Sequence, residues 1–506
     1  MKTILDVIEQ NAHKFAEKPL FCDKDKSINY DDFYEFIKNI ASGLFENGFK
    51  KPIAVFDNRN VNTILGMFGV LESGNFYVVI DSKSPVERIQ KIYDILNPIA
   101  SILEAENIEL FDQIKNKSEK KYLIEELKAY KQNEKHLDDI KGKIISADAA
   151  YVLFTSGSTG VPKGTVVTHS NILSYIEWFT NEFSIDEKTI FGNQTPFYFS
   201  MSVSDIYATI MTGATFNIIP KTYFSFPIQL INFMNERKIN TIYWVPSALS
   251  IVANLKLFNY AKPEYLKLVL FAGEVMQNKQ LNYWRKNLKN VKFANLFGPT
   301  ETTDICTFYV INREFRDDES LPIGVHCDNL DTFIVDENGN EVKEQDKIGE
   351  LYVRGNFVAS GYYDNEEKTN AVFVQNPLNK HYPEIVYRTG DLVKLNQYGE
   401  YEYAGRKDFQ IKHMGYRIEL GEIEANAGSV DGVNAVACVY DAANDLIVMF
   451  YDGKINVEEY LNILDNKVPK YMVPNKVKKI KQMPYNQNGK IDRNYLKTNL
   501  TQLLQD

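Results

Sequence analysis

Short apolar runs alternate with longer amphipathic stretches through roughly the first 270 residues of the chain. The runs are rich in Val, Ile, Phe and Tyr, which is typical of strands that are buried on both faces of a sheet. They lie at residues 52–56, 77–80, 149–154, 215–220, 241–246 and 266–273. Buried strands that alternate with helical segments predict an α/β fold of layered sheets and helices.

The pattern changes after this region. From about Leu321 to Tyr403, segments such as TFIVDENGNEV and GELYVRG predict a β-rich, turn-rich subdomain. The segments that follow are a helix (GEIEANAGS), two strands (NAVACVY and DLIVMFYDG) and another helix (VEEYLNILDNK), a pattern that indicates a small α+β unit. We expect the boundary near Asp408, with a large N-terminal domain over residues 1–407 and a small mobile C-terminal domain over residues 408–506.

Two further stretches have the polarity of surface helices. Residues 1–15 (MKTILDVIEQNAHKF) carry Asp6 and Glu9 within their apolar pattern, which predicts an amphipathic helix and not a signal peptide. Residues 104–143 are dense in charge and are predicted to be helical. Such a segment is either a solvated surface helix or a face that binds a partner, and the sequence leaves both open.

Composition and charge narrow the class of protein. Hydrophobic residues make up 44% of the chain and charged residues 25%, which is the composition of a globular protein. A net charge of −10 argues against a general nucleic-acid binder, and no apolar run has the length of a membrane span. The cysteines have neither metal-ligand spacing nor a disulfide framework, so we expect a cytoplasmic setting; they are Cys22, Cys306, Cys327 and Cys438.

A loop of glycines, hydroxyl residues and one lysine follows the strand predicted at residues 149–154. It reads FTSGSTGVPKGT and covers residues 154–165. Glycine lets backbone N–H groups approach a ligand closely, and hydroxyl and ammonium groups suit phosphate oxygens. A Walker A loop would place a hydroxyl residue directly after the lysine. Here Pro162 precedes Lys163 and Gly164 follows it, so the sequence predicts a phosphate-binding loop of another kind.

Further clusters occur along the chain in a fixed order. They are GVLESGNFYVVID (69–81, which precedes the loop), NLFGPTET (295–302), GELYVRG (349–355), YRTGD (387–391), GRKDFQIK (405–412), VPKYMVP (468–474) and NQNGKIDR (486–493). Together with the loop, these motifs resemble those of the adenylate-forming (ANL) superfamily over nearly the whole chain. The resemblance is to stand-alone adenylation domains, such as D-alanine–carrier protein ligases and the adenylation domains of nonribosomal peptide synthetases.

The resemblance implies a two-step reaction that requires ATP and Mg²⁺. A carboxylate attacks the α-phosphate of ATP to give an acyl-adenylate, and a phosphopantetheine thiol then takes the acyl group. Two anions meet in the first step, so the site needs preorganised positive charge. Thr300 is expected to contact the α-phosphate and Glu301 to hold Mg²⁺, with Lys490 bridging the carboxylate and the phosphate as a catalytic residue. The other nucleotide-binding residues implied are Thr155, Ser156, Ser158, Thr159, Lys163, Asn295, Phe297, Asp391 and Arg406.

The second step, by the same resemblance, uses another face of the small domain after a large rotation. Asp408 matches the hinge position, where the dihedral angles of one residue absorb the movement. The stretch from Gln410 to Arg417 is then expected to line the tunnel for the thiol. The partners implied are a small carboxylic acid and a separate phosphopantetheinylated carrier protein, or coenzyme A in its place.

The candidate substrate pocket departs from the family pattern. Amino-acid-activating members have an aspartate that pairs with the substrate's α-ammonium, and this chain has Ser200 there. Asp304 follows Glu301 by three residues and either receives a displaced amino group, as in a β-amino acid, or faces solvent or a helix end. Asp205 is a weaker candidate. The lining implied by motif alignment suits a small acid; it comprises Ser200, Met201, Ser204, Trp244, Leu270, Ala272, Leu296, Asp304 and Ile305.

Two other functions remain open from the sequence. The missing aspartate at Ser200 also suits an acyl- or aryl-CoA synthetase, whose substrates carry no amino group. A non-catalytic adenylate-binding protein is the alternative outside enzymes, and the presence of Lys163, Glu301, Asp391 and Lys490 argues against it.

Overall fold

The computed structural model describes residues 3–115, 120–157, 161–408, 410–485 and 491–505. Its strands are β1 (Pro19–Cys22), β2 (Ser27–Asn29), β3 (Pro52–Asp57), β4 (Phe76–Asp81), β5 (Ala100–Leu103), β6 (Lys121–Leu123), β7 (Ala149–Thr155), β8 (Lys163–Thr168), β9 (Ile190–Asn193), β10 (Thr215–Ile218), β11 (Thr241–Trp244), β12 (Leu268–Phe271), β13 (Lys292–Phe297), β14 (Thr307–Val310), β15 (Val325–His326), β16 (Leu330–Val335), β17 (Gly349–Gly355), β18 (Phe373–Gln375), β19 (Ile385–Leu395), β20 (Tyr401–Arg406), β21 (Gln410–His413), β22 (Tyr416–Glu419), β23 (Val433–Asp441), β24 (Leu446–Gly453) and β25 (Lys476–Lys479).

The α-helices are α1 (Ile4–Lys14), α2 (Tyr30–Gly43), α3 (Val61–Glu72), α4 (Val86–Leu96), α5 (Ile108–Asp112), α6 (Ile124–Lys128), α7 (Glu134–Lys141), α8 (His169–Phe183), α9 (Met201–Thr212), α10 (Pro227–Glu236), α11 (Pro246–Asn254), α12 (Asn278–Asn287), α13 (Glu366–Val372), α14 (Leu420–Gly428), α15 (Val457–Asp465), α16 (Arg493–Thr498) and α17 (Leu500–Gln505). Short 3₁₀ turns lie at Phe45–Asn47, Ala105–Asn107, Lys221–Phe224, Leu257–Asn259, Thr300–Thr302 and Lys470–Met472. Within the described ranges, no helix has both the length and the apolar character that a membrane span requires.

Two sheets of mostly parallel strands organise the N-terminal part of the chain. In the described residues, one has the order β6-β5-β3-β4-β7-β8 and the other β15-β14-β13-β12-β11-β9-β10-β1-β2. The strands β9 to β13 pair in parallel, as do β3 to β7. Parallel strands of this kind are covered on both faces, which explains the uninterrupted apolar runs of the sequence. The predicted α/β layering is confirmed.

Helices lie between these two sheets. Every residue of α3 is buried, and this helix packs against β3 and β4. The helix α9 is buried over most of its length and packs against β9 and β10 of the other sheet. A buried hydrogen bond of 2.9 Å joins the hydroxyl groups of Tyr77 on β4 and Tyr207 on α9, and so ties the two layers together.

The β-rich region and the C-terminal region form separate sheets. The strands β16 to β20 make an antiparallel sheet in the region that the sequence predicts to be β-rich. Farther along the chain, β21 and β22 form a hairpin, and β23, β24 and β25 form a small sheet. An apolar cluster around Ile423, Met449 and Tyr460 is made only of residues beyond position 410. The division of the chain into domains at Asp408 stays a prediction, which this cluster supports.

The charged stretch at residues 104–143 differs from its prediction as a surface helix. It contains the short helices α5, α6 and α7, and strand β6 pairs with β5 at the edge of a sheet. Leu127, Leu137 and Ile140 are buried, so part of the stretch packs against the core. The amphipathic helix predicted at the N-terminus is confirmed as α1, which has a capping box between Thr3 and Asp6.

Candidate active site

A cavity lies where the strands of both parallel sheets end and where the β21–β22 hairpin packs against them. Open α/β sheets bind ligands at the carboxyl ends of their strands. Its wall is lined by Arg88, Leu153, Phe154, Thr155, Ser156, Tyr198, Phe199, Ser200, Met201, Ala272, Gly273, Gly298, Pro299, Thr300, Asp304, Ile305, Asp391, Arg406, Gln410, Lys412, Gly415, Arg417 and Tyr471.

The glycine-rich loop joins two antiparallel strands at the edge of this cavity. Thr155 ends β7 and pairs in register with Lys163, which begins β8. A Walker A loop leads from a strand into a helix, so the hairpin geometry agrees with the sequence argument against that motif. The Thr155 hydroxyl is buried and finds no hydrogen-bond partner among the described residues, which suits a group that binds a ligand. Ser158 and Thr159 lie outside the described residues.

A buried carboxylate lies beside this loop. Glu301 is fully buried, and its Oε1 atom is 3.3 Å from the Lys163 ammonium and accepts a 2.6 Å hydrogen bond from the Tyr362 hydroxyl. Its Oε2 atom accepts a 2.5 Å bond from the Arg417 guanidinium. Burial opposes ionisation, but the charges of Arg417 and Lys163 prevail and hold the pKa of Glu301 well below its usual range. The carboxylate is therefore a fixed negative charge among cations.

The pKa of the loop lysine is also lowered, which for a lysine disfavours the charged form. Burial and the neighbouring charge of Arg417 lower the pKa of Lys163 to about 8, although Glu301 favours its charged form. The ammonium also donates a 3.2 Å hydrogen bond to the Tyr362 hydroxyl. Any anion that enters the site raises the pKa of this lysine, because an added negative charge favours its protonated form.

A second acid, on β19, lines the cavity. Asp391 is 2% exposed, and its Oδ1 atom accepts a 3.0 Å hydrogen bond from Arg406 on the neighbouring strand β20. Phe297 ends β13 nearby, with the Lys412 ammonium 4.4 Å from its ring centre. Asn295 points away from the cavity wall, because its amide donates a 2.8 Å hydrogen bond to the Pro322 carbonyl. An acid and an aromatic ring at this place suit the ribose and the base of a nucleotide.

Asp304 is the third buried acid and it lines the cavity. Its Oδ2 atom accepts hydrogen bonds from the hydroxyl groups of Ser204 (2.8 Å), Tyr243 (3.0 Å) and Tyr175 (3.2 Å). Burial raises the pKa of Asp304, and these hydroxyl donors, which carry no charge, offset only part of the shift. Of the two placements that the sequence allows, the structure has the one inside the pocket.

The structure brings most of the predicted acyl-pocket residues together. Ser200, Met201, Ala272, Asp304 and Ile305 line the cavity, as does Thr300, whose hydroxyl lies 3.4 Å from that of Ser200. Ser204 lies one layer behind, as a donor to Asp304.

Three predicted residues are placed in the core and not at the cavity. Trp244 is fully buried, and its indole N–H donates a 2.8 Å hydrogen bond to the Gly192 carbonyl. Leu270 and Leu296 are buried within β12 and β13. Side chains alternate across a strand, so a strand that ends at a pocket turns only part of its residues towards it. Asp205 is also buried, bonded to the Asn193 amide at 3.1 Å, and burial raises its pKa to about 8.

The comparison with protein families decides the assignment of the chain. A family model described as AMP-binding enzyme matches residues 8–363. The chain belongs to this family.

Relatives of this AMP-binding enzyme align with it over nearly its full length. It is 30% identical to zwittermicin A synthase ZmaJ of Bacillus cereus, over 97% of this chain and 94% of that protein. It is also 30% identical, over 88% of each chain, to a D-alanine–D-alanyl carrier protein ligase of Lacticaseibacillus rhamnosus. The solved adenylation domain AlmE of Vibrio cholerae, in complex with glycyl-adenosine-5'-phosphate, has the same fold, with a TM-score of 0.85 at 21% identity. That match covers 99% of this chain and 98% of the solved one.

The sequence did not single out several residues that this AMP-binding enzyme places at the cavity. Tyr175 and Tyr243 hold Asp304, Tyr362 holds Glu301, and Arg88 and Tyr471 line the wall. Tyr175, Tyr243, Tyr362 and Arg88 reach the site by long-range packing that no local motif signals, whereas Tyr471 lies within the VPKYMVP motif. The predicted catalytic residue Lys490 lies outside the described residues.

The β21–β22 hairpin reaches the cavity, as its predicted tunnel role requires. Gln410, Lys412, Gly415 and Arg417 line the wall. Glu274 anchors the hairpin tip, since its carboxylate accepts hydrogen bonds from the Gly415 backbone N–H at 2.5 Å and from the Ser247 backbone N–H at 2.7 Å.

Proposed function

We propose that this AMP-binding enzyme is an AMP-forming ligase that activates a small amino acid with ATP and passes it to the pantetheine thiol of a carrier protein. The observation that carries the proposal is the position of Glu301. It is buried and bonded to Lys163 and Tyr362, beside the glycine-rich loop, and both Asp391 and Asp304 line the neighbouring cavity. The cavity thus has places for a phosphate chain, a ribose and an acid that carries an amino group.

In the first step, a carboxylate oxygen attacks the α-phosphorus of ATP, and the bond from that phosphorus to the bridging oxygen of pyrophosphate breaks. Lys163 and the loop donors hold the phosphates, Thr300 contacts the α-phosphate and Asp391 accepts from the ribose hydroxyls. Preorganised donors of this kind stabilise the charge that develops when two anions meet. Lys490 stays a prediction as the residue that bridges the two reactants.

Glu301 is the residue that would hold Mg²⁺. Its carboxylate is fully ionised, buried and next to the phosphate loop, and carboxylate oxygen is the ligand type that Mg²⁺ prefers. The ion supplies positive charge to the triphosphate when it is bound.

In the second step, the thiol sulfur attacks the acyl carbon of the adenylate. The carbon–sulfur bond forms, the bond from the acyl carbon to the phosphate oxygen breaks, AMP leaves, and the thiol proton passes to solvent. The placement of the β21–β22 hairpin at the cavity suits this step. Asp408, which pairs with Arg406, is the proposed hinge between the two arrangements. The carrier protein as acceptor is supported by the D-alanyl carrier protein ligase among the relatives.

The substrate is a small acid whose amino group lies beyond the α position. Ser200 replaces the carboxylate that would neutralise an α-ammonium, and a buried unpaired charge is costly. Asp304 offers a carboxylate in the same pocket, held in place by three hydroxyl groups. β-Alanine is a simple acid that fits this arrangement. The cytoplasm, where ATP is abundant, is the proposed setting.

An acyl- or aryl-CoA synthetase is the second candidate, favoured by the neutral side chain of Ser200. Pyrophosphate exchange into ATP, measured over a panel of amino, hydroxy and aryl acids, separates the two. Exchange that depends on a small amino acid supports the proposal. Exchange only with acids that lack an amino group, followed by turnover with coenzyme A, contradicts it.

A further inference from the structure

The glycine-rich loop, here called the phosphate loop, is bonded to a buried carboxylate that has no role in the two steps described above. The Gly157 backbone N–H donates a 3.1 Å hydrogen bond to the Oε2 atom of Glu422, which lies on α14. Gly157 is buried, and the Glu422 side chain is 3% exposed. A helix from the C-terminal part of the chain therefore places a negative charge directly on the loop.

Arg88 holds the other oxygen of this carboxylate. Its guanidinium, on α4, pairs with the Oε1 atom of Glu422, and the Arg88 side chain is 7% exposed. Both oxygens of Glu422 are thus bonded to groups of the N-terminal part. A buried carboxylate needs such pairing, because an isolated buried charge costs several kcal/mol.

The neighbouring residue of the loop is bonded to the same part of the chain. The Ser156 hydroxyl donates a 2.6 Å hydrogen bond to the Arg417 carbonyl and accepts a 3.2 Å bond from the Glu419 backbone N–H. The β21–β22 hairpin therefore bonds to Ser156 of the phosphate loop, and α14 bonds to Gly157.

A backbone N–H in a glycine-rich loop is a donor for anions, and phosphate oxygens are its usual partners. The Glu422 carboxylate is also an anion and it occupies this donor. Two anions cannot share one N–H group in a buried site, because their charges repel strongly where water is absent. The arrangement with Glu422 on the loop and the arrangement with a phosphate on Gly157 exclude each other.

We propose that Glu422, held by Arg88, takes the place of a pyrophosphate oxygen on the phosphate loop, and that this exchange links the departure of pyrophosphate to docking of the β21–β22 hairpin for the second step. The proposal rests on the proposed function. Glu422 and Arg88 act as positioning residues, since they bring the hairpin to the adenylate and do not touch the reacting atoms.

Hydrogen exchange of the nucleotide-free enzyme tests the link without any turnover. In the docked hairpin, the Gly415 and Glu419 backbone N–H groups are bonded to Glu274 and Ser156 of the N-terminal part. Added pyrophosphate is expected to speed exchange in peptides over residues 410–422 and to leave β24 unchanged. Pyrophosphate that slows exchange there, or leaves it as it was, overturns the proposal.

The variant Glu422→Gln removes the charge and keeps the shape. It is expected to speed exchange of the hairpin before pyrophosphate is added and to tighten pyrophosphate binding roughly tenfold, a typical coupling between two sites. Transfer from preformed adenylate to a carrier thiol should fall by a similar factor relative to pyrophosphate exchange into ATP. Arg88→Gln should likewise speed exchange of the hairpin, tighten pyrophosphate binding and slow transfer to the carrier thiol.

Glu424→Gln is the matched control. Glu424 lies on the same helix, but it pairs with Arg493 and with the Cys438 backbone N–H inside the C-terminal part. If Glu424→Gln tightens pyrophosphate binding as much as Glu422→Gln does, the position of Glu422 on the loop is not the cause and the proposal fails. The proposed function fails separately, if the wild-type enzyme shows no acid-dependent pyrophosphate exchange while the hydrogen-exchange response is present.

Discussion

Glu301 and Asp304 are close neighbours in the chain and both are buried, yet their surroundings shift their pKa values in opposite directions. Two cationic side chains keep Glu301 ionised, while the donors that the described residues offer to Asp304 are hydroxyl groups and its pKa is raised. Different environments of this kind assign different tasks to similar groups. Glu301 suits a permanent negative charge that holds cations, and Asp304 suits a carboxylate whose charge is stabilised when an ammonium group arrives.

The role of Asp304 in substrate choice is tested with two variants. Asp304→Asn keeps the volume and removes the charge, so it should weaken transition-state binding of β-alanine by about 2–5 kcal/mol, as loss of one partner of a buried charge pair does. Propionate has no ammonium group and should be scarcely affected. Ser200→Asp should raise kcat/KM for alanine, because it supplies a carboxylate near the α-ammonium. The measurement is kcat/KM for the three acids. If Asp304→Asn leaves all three values unchanged, Asp304 does not bind the substrate's amino group.

The lowered pKa of Lys163 predicts how nucleotide affinity depends on pH. Below about pH 8 the ammonium is charged and binds phosphate directly. Above that value the free enzyme loses this proton and must regain it on binding, so ATP affinity should fall by about tenfold for each pH unit. Titration calorimetry between pH 7 and 9.5 measures the slope. Lys163→Met should bind weakly with a flat profile, and a wild-type profile that is equally flat would contradict the assignment.

At the scale of elements, the sequence predicts strands whose pattern is local and misses contacts that depend on distant partners. The strand β7 follows from its apolar run, and the phosphate loop from the glycines that end it. The strand β6 lies in a charged stretch and exists because it pairs with β5, which no local pattern reveals. The pair of Arg88 and Glu422 joins helices that are 334 residues apart in the chain, so only the folded structure could show it.

The tip of the β21–β22 hairpin should be sensitive to a single methyl group. Gly415 has a φ of +79°, and an added Cβ would lie 2.5 Å from the Cγ1 atom of Val245. Gly415→Ala should therefore destabilise the docked hairpin by about 1–3 kcal/mol, as strained backbone positions do. Single-turnover transfer from preformed adenylate should slow more than pyrophosphate exchange. Gly428→Ala is the control, because its Cβ would make only an ordinary 3.5 Å contact with Val436; equal effects of the two variants would count against the role of the tip.

At the scale of the whole molecule, the proposed mechanism requires two arrangements of the C-terminal part. The structure has the β21–β22 hairpin at the cavity, where Arg417 bonds to Glu301 and Glu422 to the phosphate loop. From the sequence alone, the motif order indicates the family, and the alternation of apolar runs with helical segments indicates the layered fold. The sequence could not show which arrangement the chain adopts, because that depends on buried ion pairs between residues far apart in the chain.

A variant of Lys490 should affect the first half-reaction and not the second. If this residue bridges the substrate carboxylate and the α-phosphate in the first step alone, Lys490→Ala should slow adenylate formation by about 10²–10³, the cost of losing a preorganised donor. Transfer from adenylate supplied in advance should stay nearly normal. Rapid-quench measurements of the two steps make the comparison, and an equal loss in both would refute the assignment.

The central claim is that this enzyme forms an aminoacyl-adenylate and hands the acyl group to a thiol. Product analysis after mixing enzyme, ATP, β-alanine and a phosphopantetheinylated carrier protein tests it most directly. The account predicts AMP and pyrophosphate in equal amounts, one thioester on the carrier for each AMP, and neither product when the acid is left out. Formation of ADP, or AMP that accumulates without an acyl group on the carrier, would contradict it.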